Sequence, residues 1–149
     1  MELASRDRAP LPTREVISPD GAWIYQPLNV HDPDSPILGI RQAVFGALCR
    51  DSDEMGALTV IALSQYGPEC RALNNPMVVW AAQMFLRLSE DERETTITRL
   101  LARGYVNVAG PRAVQTNREV ARVFDVAEMD PILMSEWAAA KRAAPVPRI

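Results

Sequence analysis

The sequence predicts an all-α protein: a single compact domain of five or six short helices with an extended proline-rich N-terminal arm and a short extended C-terminal tail. Six of the twelve prolines lie in the first 36 residues. Each proline fixes its own φ and removes a backbone donor, which excludes regular helix over most of that stretch. From Ser35 onward, helix-start signals recur and apolar residues repeat at three- and four-residue spacing. The predicted divisions are the arm at 1–34, a helical domain at 35–144 and the tail at 145–149.

The predicted arm contains one apolar patch, which follows the turn signal Pro19-Asp20-Gly21. This patch forms either a short strand or an extended segment whose aromatic side chains dock on a surface. The arm has too few apolar residues for a core of its own, so it lies on its own domain or reaches a neighbouring chain. We expect the second arrangement, in which the partner-binding residues are Val16, Ile17, Trp23, Ile24, Tyr25 and Leu28.

Two helices are predicted at the start of the helical domain. Ser35-Pro36 is typical of an N-cap followed by proline at the first helical position. The apolar spacing from Ile37 to Leu48 predicts a helix that ends near Arg50. A second helix is predicted from Ser52, where Asp53 and Glu54 suit a helix N-terminus. It is surrounded by apolar residues and ends at Gly67-Pro68.

The next two helices carry the clearest boundary signals. Asn75-Pro76 repeats the cap-and-proline pattern and opens the most hydrophobic stretch of the chain, residues 77–86. Because this stretch is apolar nearly all round, we predict the central helix here, with Trp80, Phe85 and Leu86 buried in the core. A capping box at 89–92 predicts a one-sided helix that stops at Gly104.

The remaining part of the chain is predicted to be mainly helical. Residues 105–108 are β-like but isolated, and Gly110-Pro111 marks a turn. A second capping box at 116–119 predicts a helix with Val120, Val123 and Phe124 inward. Asp130-Pro131 caps a last predicted helix, in which Leu133, Trp137 and Ala140 share one face.

Residue types that perform catalysis or bind metals are scarce. His31 is the single histidine and is interpreted as a surface residue of the arm. Cys49 and Cys70 are interpreted as two reduced, buried thiols, since no secretory signal precedes them. The acidic clusters at 32–34 and 51–54 lack the ligand order and central glycine of a calcium-binding loop. We expect no enzymatic activity, no metal and no cofactor.

Charge and hydropathy limit the possible partners. The formal net charge is −3, so no overall positive field attracts nucleic acid or an anionic membrane. The chain has no run of about 18 apolar residues, the length that a membrane span needs. A cytoplasmic or intracellular location, or a place in a virion, is expected.

The leading hypothesis is a non-enzymatic protein–protein interaction or structural subunit of a larger assembly, such as a virus or phage particle. Its arm would contact neighbouring protein subunits of the same or a different chain. One alternative is a small DNA-binding or regulatory protein built on a helix-turn-helix-like hairpin at 116–142, with Arg118, Arg122, Lys141 and Arg142 facing the nucleic acid. The acidic turn before its second helix opposes that alternative. Another alternative is a small acidic inhibitor of another protein.

Overall fold

A computed structural model describes residues 16–18, 20–30, 32, 35–67, 73–125 and 128. These residues form four helices and six strands in two antiparallel sheets. The strands are β1 (Val16–Ile17), β2 (Trp23–Pro27), β3 (Ile37–Arg41), β4 (Val106–Gly110), β5 (Ala113–Thr116) and β6 (Ala121–Phe124). The helices are α1 (Gln42–Cys49), α2 (Ser52–Tyr66), α3 (Pro76–Leu86) and α4 (Glu90–Ala102).

The larger sheet has the strand order β1-β2-β3-β6. Its central pair places Trp23 opposite Arg41 and Pro27 opposite Ile37. On the other side of β3, Ile37 lies opposite Phe124, which brings the end of the described chain back to its beginning. The smaller sheet is the β4–β5 hairpin, which follows α4 directly.

The all-α prediction is wrong, and the predicted helix from Ser35 to Arg50 shows why. Ser35 caps no helix: its Oγ accepts a hydrogen bond from the Asn29 amide and donates one to the Pro36 carbonyl, in the connection from β2 to β3. Ile37, Leu38 and Ile40 are all buried in β3, because this strand lies between β2 and β6 and is covered on both faces. The helix starts only at Gln42.

The predicted helix from Thr116 is also wrong. Thr116 ends strand β5, and the Asn117 side-chain oxygen accepts a hydrogen bond from the Glu119 amide in a tight turn. Such local bonds compete with helix formation. Val123 and Phe124 then lie in strand β6, paired with β3. The predicted last helix, with Leu133, Trp137 and Ala140, and the tail at 145–149 lie outside the described residues.

Three helix predictions are confirmed at their boundaries. α2 starts at Ser52 and is followed by Gly67, as predicted. α3 is capped by Asn75, whose side chain accepts a hydrogen bond from the Met77 amide. α4 has the predicted capping box between Ser89 and Glu92. The β-like segment after α4 is a strand, but it is paired with β5 rather than isolated.

The hydrophobic core lies between the larger sheet and α2. Leu38, Ile40 and Val123 contribute from the sheet, and Leu58 and Ala57 contribute from α2. Gly56 on α2 allows close approach to α3, since an added Cβ would lie 2.5 Å from the Ala81 carbonyl oxygen. α3 therefore packs directly against α2.

Ion pairs join the start of α2 to the end of α4. Glu54 is 1% exposed, and its carboxylate lies 3.0 Å from Arg99 Nε and 3.4 Å from Arg103. Asp51, the N-cap of α2, accepts hydrogen bonds from the Asp53 and Glu54 amides and lies 3.6 Å from Arg99. A buried carboxylate of this kind requires its partners, because an unpaired buried charge is costly.

Candidate functional site

Helix α3 exposes three large apolar side chains to solvent. Met77 is 40% exposed, Trp80 45% and Leu86 62%, while Val78 and Ala81 are buried against α2. The prediction that Trp80, Phe85 and Leu86 form the centre of the core is therefore wrong: Trp80 and Leu86 are exposed and Phe85 is partly buried at the edge of the core. Met77 and Trp80 are three residues apart and neighbour each other on the helix surface, and we call this pair the α3 face; Leu86, nine residues from Met77, lies on the opposite side of the helix.

Helix α3 has no charged residue of its own, although Arg93 of α4 lies 5.0 Å over the Phe85 ring and donates a hydrogen bond to the Leu86 carbonyl. The sequence of α3, PMVVWAAQMFL, contains no charged residue. A solvated helix face normally carries charged side chains, as α4 does with its exposed Glu90, Asp91 and Glu94. Large apolar residues without charges are the composition of an interface core, in which Trp and Met are enriched and Lys, Glu and Asp are depleted.

The N-terminus of α3 is fixed to the sheet. Asn75 is fully buried; its Nδ2 donates a 2.8 Å hydrogen bond to the Pro27 carbonyl while its Oδ1 caps the helix. The amides of Asn74 and Asn75 both donate to the Leu28 carbonyl. These bonds set the position of α3 relative to β2 and hold the α3 face at a fixed angle to the sheet.

A pocket of about 160 Å³ opens beside the α3 face. Its mouth carries the exposed residues Met77, Trp80 and Cys49, and its inner wall includes the buried residues Gln26 and Thr59. Its described lining residues are Gln26, Cys49, Met55, Thr59, Met77, Val78, Trp80 and Ala81. Strand β2 and helices α1, α2 and α3 thus meet at one opening.

The residues predicted to bind a partner lie mostly inside the domain. Ile24, Tyr25 and Leu28 are buried, because residues 23–27 form a strand of the larger sheet rather than a projecting arm. Val16 pairs with Tyr25 in β1, and Ile17 at that sheet edge is 53% exposed. Trp23 is half-buried.

Trp23 and Tyr25 form an aromatic cluster with Phe124, a contact that the sequence did not predict. Trp23 and Tyr25 both contact Phe124 edge-on, with ring centroids 5.3 and 5.4 Å apart. Arg41 lies over the Trp23 ring and Arg122 over the Phe124 ring, at 4.4 and 4.0 Å. This cluster covers the sheet face opposite α2 and accounts for these residues by contacts within the chain.

Of the four residues predicted to face DNA, the two that the structure describes do not lie on the helix that the alternative hypothesis required. Arg118 is exposed in the turn before β6, and Arg122 lies on β6 itself. Lys141 and Arg142 lie outside the described residues. The hairpin at 116–142 therefore loses its predicted first helix.

A different helix pair has the element order of a helix-turn-helix unit. α3 and α4 are joined by the three residues 87–89, and the β4–β5 hairpin follows. In DNA-binding proteins with this order, the first turn of the second helix faces the bases. Here that turn carries Glu90, Asp91 and Glu92, which oppose binding to phosphates of the same charge.

The structure describes one of the two cysteines and does not describe the histidine. Cys49 is exposed, so the interpretation of both cysteines as buried thiols is wrong for this residue, while Cys70 and His31 lie outside the described residues. Across the described ranges, no group of three or more His, Cys, Asp or Glu side chains is placed to hold a metal ion. No helix in the described part of the chain is long and apolar enough to cross a membrane.

The absence of charged residues from residues 76–86 is a sequence signal for the α3 face. The complete absence of charge from an eleven-residue helix fits a buried core helix and an interface helix equally well, and we predicted the first. Gln26 and Thr59 gave no signal, since each lies in an ordinary apolar stretch.

Comparisons with protein-family models, with curated proteins and with solved structures find no match to this chain.

Proposed function

We propose that this chain is a non-enzymatic interaction subunit that binds a second protein through the α3 face. The observation that carries the proposal is the exposure of the neighbouring Trp80 and Met77 side chains on a helix without charged residues. Trp and Met are residue types enriched in the core of protein–protein interfaces, from which charged residues are depleted. The proposal keeps the interaction class expected from the sequence and assigns it to α3 instead of the N-terminal segment.

The chemistry of the α3 face restricts its partner. A partner surface that is itself apolar and uncharged buries both faces without leaving a charge unpaired. Trp80 is the expected centre of the contact, because tryptophan is the residue type most enriched among those that dominate binding energy. The fixed position of α3 against β2, through Asn75, means that little order has to be gained on binding.

Purification of the tagged full-length chain from its source, with paired variants, tests the proposal. We expect the complex to survive in the wild type and in Val108→Ser, which alters an exposed apolar residue on β4 (70% exposed). We expect Trp80→Ser to lose the complex, with a weakening of tenfold or more, since truncating a central aromatic commonly costs at least about 2 kcal/mol. Circular dichroism and thermal unfolding check that both variants remain folded.

Two outcomes count against the proposal. One is a Trp80→Ser protein that retains the same partner at the same stoichiometry as Val108→Ser. The other is a chain that sediments as a monomer both when purified and in its source. Sedimentation of the purified chain as a dimer that Trp80→Ser dissociates would replace the second protein by a second copy, and would also overturn the proposal as stated.

A further inference from the structure

The pocket beside the α3 face is lined by a polar side chain that makes no hydrogen bond to the described residues. Gln26 is 5% exposed and lies on the side of β2 that faces the helices, beside Leu38 of β3. Within the described part of the chain its carboxamide makes no hydrogen bond, although it lines the pocket. Its amide atoms are not among the fully buried unpaired atoms of the described residues, so solvent in the pocket reaches them, and a ligand that displaces this solvent has to replace its hydrogen bonds.

A second polar atom lies on the same wall. The Oγ1 of Thr59 is buried and has no hydrogen-bond partner among the described residues. In a helix a threonine hydroxyl usually bonds to the carbonyl four residues earlier, as Thr96 and Thr98 do on α4. Gln26 and Thr59 therefore make the inner wall of the pocket polar, while Met55, Val78 and Ala81 make its sides apolar.

The lining determines the charge and size of the group that fits. The lining residues that the structure describes are all uncharged, so a charged ligand would lose its hydration without gaining an opposite charge. The volume of about 160 Å³ matches one aromatic ring, since an engineered protein cavity of about 150 Å³ holds benzene. Trp80 and Met77 at the mouth provide an aromatic face and a thioether, which both contact aromatic rings favourably.

We propose that the pocket receives a tyrosine side chain of the partner that binds the α3 face. This proposal rests on the proposed function. A tyrosine is neutral at pH 7, and its hydroxyl both donates and accepts, so it can satisfy a carboxamide that offers both kinds of group. Phenylalanine leaves Gln26 unpaired, and tryptophan can only donate. The tyrosine comes from another protein, because Tyr25 of this chain is buried and Tyr66 and Tyr105 are half-buried in their own domain.

The first experiment uses the purified full-length chain and two probes that differ by one hydroxyl, p-cresol and toluene. We expect p-cresol to shift the NMR signals of the Gln26 side-chain amide and of the Met55 and Met77 methyl groups. We expect p-cresol to bind about fivefold more tightly than toluene, because one additional hydrogen bond changes the affinity by about that factor. Gln26→Leu should bind both probes equally, while Gln115→Leu, at an exposed glutamine of β5, should keep the preference.

Several results overturn the proposal: neither probe binds, the shifts lie elsewhere, toluene binds as well as p-cresol, or Gln26→Leu keeps the preference. These measurements need no partner, so they fail independently of the proposed function. A second measurement separates a partner's tyrosine from a free phenol. Saturating p-cresol should weaken the purified complex, and toluene at equal occupancy should weaken it as well, because either probe fills the pocket. A complex that p-cresol leaves unchanged contradicts a tyrosine from the partner.

Discussion

At Gly56 the backbones of α2 and α3 are closer together than any residue with a side chain allows. An added Cβ would lie 2.5 Å from the Ala81 carbonyl oxygen and 3.0 Å from the Phe85 amide nitrogen. Both atoms belong to the α3 backbone, so a rotamer change cannot relieve the contact. The glycine therefore sets the distance between the two helices and, through α3, the position of the surface that we assign to binding.

Gly56→Ala should destabilise the protein by about 1–3 kcal/mol, the usual cost of overpacking a core. The intrinsic gain of about 1 kcal/mol from replacing glycine by alanine in a helix is included in that estimate and does not reverse its sign. Gly46→Ala is the matched control, because an added Cβ on α1 meets nothing within 4 Å. That variant should be stabilised by up to about 1 kcal/mol. Urea unfolding measures both, and equal effects in the two variants would contradict close packing at Gly56.

Hydrogen bonds of polar residues are predictable from the sequence only where both partners are close along the chain. Asn75 was predicted as a cap from its position before Pro76, and the cap is confirmed. Its second hydrogen bond, to the Pro27 carbonyl 48 residues away, left no trace in the local sequence. Gln26 is similar, since its burial follows from the placement of α2 and α3 over β2 and not from its neighbours along the chain.

Among the elements, helix α2 is capped by a charged side chain, Asp51. Burial disfavours the ionised form of Asp51, but hydrogen bonds from the Glu54 and Asp53 amides and the nearby Arg99 outweigh it and lower the pKa below 3.8. A carboxyl group whose pKa is lower in the folded than in the unfolded chain stabilises the fold above the unfolded value. That contribution disappears as the pH falls through the folded pKa.

The free energy of unfolding should therefore decrease as the pH is lowered from about 5 to 2.5. Asp51→Asn keeps a good capping side chain and removes the charge, so it should show a smaller decrease. Asp51→Ala should also cost about 1 kcal/mol at pH 7, through the lost cap. Asp20, with the Ser18 hydroxyl donating to it, and Glu92, with the Ser89 amide donating to it, also have lowered pKa values. Some acid dependence thus persists in both variants. An unchanged pH profile in Asp51→Asn would contradict this role.

Helices and strands differed in how well the sequence predicted them. The boundaries of α2, α3 and α4 were predictable because capping residues and glycines act within one turn of the chain. β3 and β6 were not, because they are stabilised by pairing across more than 80 residues, as between Leu38 and Val123 or Ile40 and Ala121. Residues 37–40 are apolar on both faces of the strand, so their spacing resembles a helix as closely as a strand.

At the scale of the whole molecule, charge is unevenly distributed over the helices. α4 carries acidic residues on its exposed surface, whereas α3 carries none of either sign. The two helices are separated by three residues, of which Arg87 is exposed, so the acidic first turn of α4 follows closely on the end of α3 along the chain. The acidic neighbour favours solubility of the free chain, and the uncharged surface favours burial in a complex.

Hydrophobicity alone could not separate these two uses of an apolar helix. A helix that is apolar on all sides is buried, but the sequence does not state whether its own domain or another protein covers it. The structure shows which side of α3 is covered by its own domain: Val78 and Ala81 are buried, and Trp80 is exposed on another side of the helix. Whether a partner covers Trp80 is measured on the complex.

Hydroxyl-radical footprinting of the native complex measures that coverage directly. Met77 and Trp80 react readily with hydroxyl radicals when exposed, and Ile17 at the edge of β1 is an exposed internal reference (53%). Oxidation rates at each residue are compared between the purified chain and the complex isolated from its source. If the α3 face binds a partner, the rates at Met77 and Trp80 fall several-fold in the complex while the rate at Ile17 stays constant. Unchanged rates at Met77 and Trp80, with protection at Ile17 instead, would contradict the assignment and place the contact at the N-terminal edge of the sheet.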